Sequence, residues 1–277
     1  MQKRLLIIAL LIVGGLPFMS VAQTLVSCEA TFDMMYSNWD KIKTMQYHSK
    51  KFERHLDQEN RGEFDFTIRR SPFTVAGIMT DKGHWILYDP AKNKKEALYI
   101  SNGFPYTNLW LDINGRMFRG LNHYTISDAG CEFIFEIIRR EYERIPENFK
   151  CTRITRKGNE EILIRAEADE LTWSPYKAQP KETVLDIAKK HSASAYLLIE
   201  NNANLSGYLD DCTGKTIMVP SQFGKVVELF VDAEHGMPMR IANYDEKGLF
   251  ESYDYTDYRF NVELEEDFFT EDYLDDL

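Results

Sequence analysis

The chain has 277 residues, with 44 acidic against 33 basic side chains and a formal charge of −11. Such a surface repels polyanions, and no Lys/Arg stripe interrupts it, which excludes nucleic acid as a partner. The length suits one large domain, or one domain carrying a small module.

Lys3 and Arg4 precede an apolar run from Leu5 to Phe18, and Ser20-Val21-Ala22 follows with small residues. This order predicts a signal peptide over 1–22, cleaved after Ala22, and export to the periplasm or cell envelope. The run is shorter than the roughly 20 residues of a bilayer span. Cys28, after Leu25-Val26-Ser27, lies far downstream for a lipoprotein cysteine. Membrane contact is therefore expected only through a partner or through lipidation at Cys28.

A helix is predicted from about Ala30 to Lys43, where Phe32, Met35, Trp39 and Ile42 form one apolar stripe. Phe64, Phe66 and Ile68 alternate with Asp65 and Thr67 as in a half-buried strand. Strands are predicted over Phe73 to Met79 and His84 to Asp89, around the turn Asp81-Lys82-Gly83, and then over Ala97 to Ser101 and Leu109 to Ile113. Ser127 reads as the N-cap of a helix whose face carries Cys131, Ile134, Phe135, Ile138 and Tyr142, stopped by Pro146. Cys151 to Arg156 and Glu161 to Ala168 form a hairpin. Beyond Pro220, strands are predicted over Val226 to Asp232, Met239 to Tyr244, Leu249 to Tyr255 and Tyr258 to Val262. The acidic end, from Glu263 to Asp276, reads as a solvated face or tail.

The four cysteines, Cys28, Cys131, Cys151 and Cys212, allow three pairings in an exported protein. Cys131 with Cys151 is the first pairing expected, and buried free thiols are the alternative.

Between the two strand sets, Leu171 to Lys177 and Thr216 to Val219 flank two short helices. Thr183 with Asp186 makes a capping box, and Val184, Leu185, Ile187 and Ala188 supply core. The order Glu182-Thr183-Val184, Leu197-Leu198-Ile199, Thr216 to Pro220 resembles a LysM module, a β-α-α-β unit known for binding N-acetylglucosamine polymers. The resemblance implies a sugar groove between Glu182, Thr183, Val184 and Asn202, Ala203, Asn204, Leu205, with peptidoglycan as partner. The glycine usual before the Glu-Thr pair is Lys181 here, and the second loop is lengthened by Gly207 to Cys212.

The flanking strands resemble the LolA/LolB lipoprotein-carrier superfamily. Ser71 to Val75, Asp81 to Pro90, Phe230 to Asp232, Gly236 to Ile241 and Asp245 to Gly248 carry that likeness, with Tyr253 to Asn261 and Phe268. The whole arrangement is similar to an uncharacterised bacterial envelope family, a domain of unknown function. The resemblance implies an α+β fold: a curved antiparallel half-barrel closed by helices, with the LysM-like module inserted. The divisions expected are 23–170 and 221–277 for the half-barrel and acidic tail, and 171–220 for the insert. Phe64, Phe66, Phe73, Trp85, Tyr99, Trp110 and Phe118 are the expected lining of an apolar cavity that would take a lipid or lipoprotein acyl chain.

The six histidines are scattered, and no metal-ligand spacing, G-x-S-x-G elbow or P-loop occurs. The sequence thus predicts a non-enzymatic protein without metal or cofactor.

Overall fold

The computed structural model describes residues 24–56, 58–104, 107–120 and 122–277; the expected signal peptide lies outside them. Twelve strands form one open, antiparallel sheet. In sheet order they are β1 (Thr24–Val26), β8 (Phe149–Arg156), β9 (Asn159–Glu167), β12 (Val226–Asp232), β13 (Pro238–Asp245), β14 (Gly248–Phe260), β2 (Thr44–His55), β3 (Gln58–Arg70), β4 (Phe73–Met79), β5 (Trp85–Tyr88), β6 (Glu96–Ile100) and β7 (Leu109–Asp112). β1 and β7 are its unpaired edges, so the sheet does not close. Among the described residues no helix is long and apolar enough to cross a membrane.

Two helices lie on one face. α1 (Cys28–Trp39) begins at Ser27, whose hydroxyl accepts from Ala30 N. It starts and stops earlier than its apolar stripe suggests, because Ile42 belongs to the turn into β2. α2 (Arg116–Arg119) is a single turn after β7. α3 (Glu132–Arg144) is the expected amphipathic helix, but Ser127 does not cap it. Ser127 sits instead in a 3-10 turn over Ile126–Asp128, fixed by a Thr125–Asp128 capping box. Phe135 meets the rings of Tyr36 and Trp39 on α1, while Ile134 and Ile138 face the sheet.

The sequence signals miss β2 altogether and divide β14, which is one bulged strand with its register shift between Thr256 and Arg259. The opposite face is covered at β4 to β6 by α6 (Glu271–Asp275), where Phe268, Phe269 and Leu274 pack on Ala76, Leu87, Leu98 and Ile100. The acidic end is therefore anchored by apolar residues rather than being wholly solvated.

The segment between Ala168 and Lys225 leaves and rejoins the sheet at one point, where Ala168 N donates to Lys225 O. β9 and β12 on either side pair directly. The segment holds β10 (Trp173–Lys177), α4 (Val184–Lys190), α5 (Ala195–Asn201) and β11 (Thr216–Pro220), with β10 and β11 as a separate antiparallel pair. Val184, Ile187, Leu198, Cys212 and Ile217 form its own small core.

The disulfide joins Cys28 to Cys151, with Cα atoms 5.2 Å apart, which corrects the Cys131–Cys151 expectation. Pairing of β1 with β8 sets Val26 opposite Cys151 and so delivers Cys28, whose thiol is thereby unavailable for lipidation. Cys131 and Cys212 are free and buried. The bridge closes a sequence separation of 123 residues. Replacing both bridging cysteines with serine is expected to cost roughly 4–5 kcal/mol on the chain-entropy account. Urea unfolding checks this, and alkylation of the unreduced protein in denaturant will label two thiols.

Candidate ligand cavity

Seven neighbouring strands, β12 to β5 in sheet order, send side chains into one cavity of about 160 Å³ beneath α3. Laid flat, those strands would span about 30 Å. A cavity this small can be reached by all of them only if the sheet curls around it.

The apolar part of the wall comes from β3, β5, β12, β13 and α3: Phe66, Ile86, Val227, Ile241, Ile134 and Ile138. Gly77 on β4 lies opposite Phe66, and a Cβ there would come within 2.7 Å of the Phe66 ring. Only glycine leaves that ring its place in the wall.

The polar part comes from two adjacent strands. Along β2 the inward positions are Tyr47, Ser49, Lys51 and Glu53, an alternation that passes from aromatic to charged. On β14 their partners are Tyr255 opposite Ser49, Tyr253 opposite Lys51 and Glu251 opposite Glu53. Glu53 accepts from Lys51 Nζ at 2.8 Å, Tyr253 Oη at 2.5 Å and His123 N at 3.0 Å. Burial alone raises the Glu53 pKa, but His55, Lys51 and His123 outweigh it and hold the carboxyl at about 2. Glu251 accepts from Tyr124 Oη at 2.9 Å and lies 2.6 Å from His123 Nδ1. Burial pushes the Tyr124 and Tyr253 hydroxyls well above the usual tyrosine range, helped by Glu251 and Glu53 respectively.

The hydrogen-bond roles at His123 follow from its partners. Its Nε2 lies 3.1 Å from the Arg54 carbonyl, which can only accept, so Nε2 carries hydrogen. One proton then sits between Nδ1 and Glu251, and the pair is neutral as a unit. Asp128, the remaining acid on the wall, faces Arg119 Nη2 at 3.4 Å; burial raises its pKa against that pull.

A second cavity of about 170 Å³ adjoins the first and shares Lys51, Phe64, Ile86, Phe118 and Asn122 with it. Its outer wall is mixed, with Asn60, Arg61, Glu63, Asp81 and Lys82. Lys51 also donates to the Asn122 amide oxygen, so the boundary between the chambers is a hydrogen-bonded pair.

Of the aromatics expected in the cavity, Phe64, Phe66 and Phe118 line the inner chamber, and Tyr99 lines the outer one. Phe73 packs against the same core without lining either. Trp85 and Trp110 are on the other face: Trp85 packs with Leu87, Leu98 and Ile100, and Trp110, opposite Leu98 on edge strand β7, is 47% exposed. Side-chain alternation decides this, because Ile86 and Tyr99 take the inward positions on those strands.

The residues of the expected sugar groove are otherwise engaged. Val184 and Leu205 are buried in the small core. The Asn202 side chain donates to Leu198 O and Met218 O and accepts from Met218 N. Glu182 accepts from Gln179 N, Tyr176 Oη and Lys190 Nζ, which together hold its carboxyl at about 2. The lengthened loop lies against the first one: Cys212 N donates to Glu182 O, Leu185 N donates to Tyr208 O, and Thr183 bridges Asp211. Ala203 and Asn204 remain exposed. Tyr208 Oη then reaches the host sheet's loop and donates to Asn122 O, while Tyr196 of α5 stacks on His123 and meets His55 at a tilt. The inserted unit thus backs the polar end of the cavity.

No family model and no curated protein matches the sequence. Among solved structures, the chain is similar to a DUF1329 family protein from Desulfovibrio piger, at 7% identity and TM-score 0.36, over 89% of this chain and 98% of that one. It is similar to a putative outer membrane lipoprotein-sorting protein domain from Vibrio parahaemolyticus, at 10% identity and TM-score 0.36, over 90% and 100%. It is also similar to the lipoprotein LppX of Mycobacterium tuberculosis, at 8% identity and TM-score 0.38, over 86% and 100%.

Proposed function

We propose that this is a non-enzymatic, exported envelope protein that binds or carries a lipid-like or other apolar ligand in the cavity under α3. The observation that carries the reading is a largely apolar, partly open chamber where a sheet face and a helix would otherwise pack solidly. Interiors normally close to crystal-like density, so a mostly apolar space of this size left open under a helix offers a site for a hydrocarbon group. The inner chamber alone matches a ring or a short chain end in volume. A longer chain continues past Phe118 into the outer chamber. Sugar binding by the β-α-α-β unit has no comparable support, since its groove positions other than Ala203 and Asn204 are buried or bonded within the unit.

Two measurements test the reading. Native mass spectrometry of protein purified from cell envelopes is expected to show an adduct that organic solvent removes. The stripped protein is expected to bind a neutral dye that fluoresces in apolar surroundings. Protein that is ligand-free as purified and leaves the dye dark would overturn the proposal.

A further inference from the structure

The cavity also constrains the end of the ligand that enters it. Among the described residues, the hydroxyls of Ser49 and Tyr255 have no hydrogen-bond partner, although Ser49 is only 5% exposed. They face each other across β2 and β14 and both line the inner chamber. Two hydroxyls without a protein partner, on residues paired across adjacent strands and lining the same chamber, are free to bond a ligand's polar atom.

The charges nearby say what kind of atom. Each ionisable group on the inner wall is already matched: Lys51 with Glu53, Glu251 with His123, and Asp128 with Arg119. Lys51 is the single cation among the described lining residues, against three acids. A ligand carboxylate would lie near three carboxyl groups with no free cation to meet it. A ligand ammonium would have to displace Lys51, Arg119 or the His123 proton from its partner. Burying either ion without a partner is far costlier than burying a neutral group that hydrogen-bonds.

We infer that the site selects an uncharged amphiphile, one whose alcohol, ester or amide group hydrogen-bonds the Ser49–Tyr255 pair, and that it rejects free fatty-acid anions. Both hydroxyls can donate and accept, so they serve an ester or amide carbonyl as well as an alcohol. The inference rests on the ligand-binding reading above and narrows its chemical class.

Isothermal titration at neutral pH with 1-hexanol, hexanoate, hexylammonium and toluene tests it, because these ligands fit the inner chamber. Hexanol is expected to bind at least tenfold more tightly than either ion. In Ser49→Ala/Tyr255→Phe, hexanol should weaken roughly five- to tenfold while toluene keeps its affinity. Ser49→Ala alone removes a small hydroxyl without disturbing a ring, and should give part of the same loss if the double variant does not fold. Hexanoate binding within twofold of hexanol would overturn the inference and leave the cavity reading standing, as would hexanol affinity that ignores the substitutions. Failure of toluene and hexanol alike to bind the parent would overturn both.

Discussion

Replacing Ala129 with phenylalanine will abolish ligand binding without harming the fold. Ala129 lies in the segment entering α3 and its side chain borders the inner chamber. A phenyl group there occupies much of a space of about 160 Å³. Dye affinity is expected to fall more than tenfold. Filling a void commonly adds about 0.5–2 kcal/mol of stability, so the melting temperature should hold or rise by a few degrees. Loss of binding with loss of stability would point to misfolding instead. An A129F protein that binds as the parent does would place the ligand elsewhere.

The second large effect is expected at Glu53. Its carboxylate is buried and anchors Lys51, Tyr253, Asn60 and the His123 amide. Breaking a buried ion pair from one side typically costs about 3–5 kcal/mol, because the remaining charge loses its partner. Glu53→Gln should therefore lower the melting temperature by roughly 10 °C for a chain of this size. The pH dependence gives the sign. The folded pKa of about 2 lies below the ordinary 4.5, so the carboxylate's contribution is complete above 4.5. It is lost as pH falls from there towards 2, amounting to about 3 kcal/mol. Urea titrations at pH 7 and pH 3 should show the gap between parent and E53Q narrowing on acidification. An equal gap at both values would mean that the charge is not the source.

The parts of the fold legible in the sequence are those whose buried face is uniformly apolar. α3 and the strands Phe73–Met79, Val226–Asp232 and Pro238–Asp245 carry plain periodicity; the strands are present within a residue or two, and α3 is present but begins four residues after the position its expected Ser127 cap implies. β2 carries none, since its inward positions Ser49, Lys51, Glu53 and His55 are polar, and the rule that inner means apolar fails there. The same strand supplies the polar end of the candidate site. An inner row of polar residues, alternating from Tyr47 onward beside a run of clear strands, is the signal that could have found it. Trp85 and Trp110 misled for a different reason. Trp85-Ile86-Leu87-Tyr88 is apolar on both faces, so composition cannot say which side turns inward. Glu251 and His123 lie 128 residues apart, and only the sheet order brings them together.

The inserted unit braces the sheet at the polar end of β2 and β14, through His55 and Phe250, and α6 braces its outer face at β4 to β6. The opposite wall is α3 with the short turn before it, which lines the chamber through Phe133, Ile134 and Ile138 and is tied to α1 by the Tyr36 hydroxyl on Phe135 O. A guest in the inner chamber is thus held between a braced sheet and a helix whose entry is itself pinned, by Thr125 to Ile113 O and by Gly130 N to the Tyr47 hydroxyl.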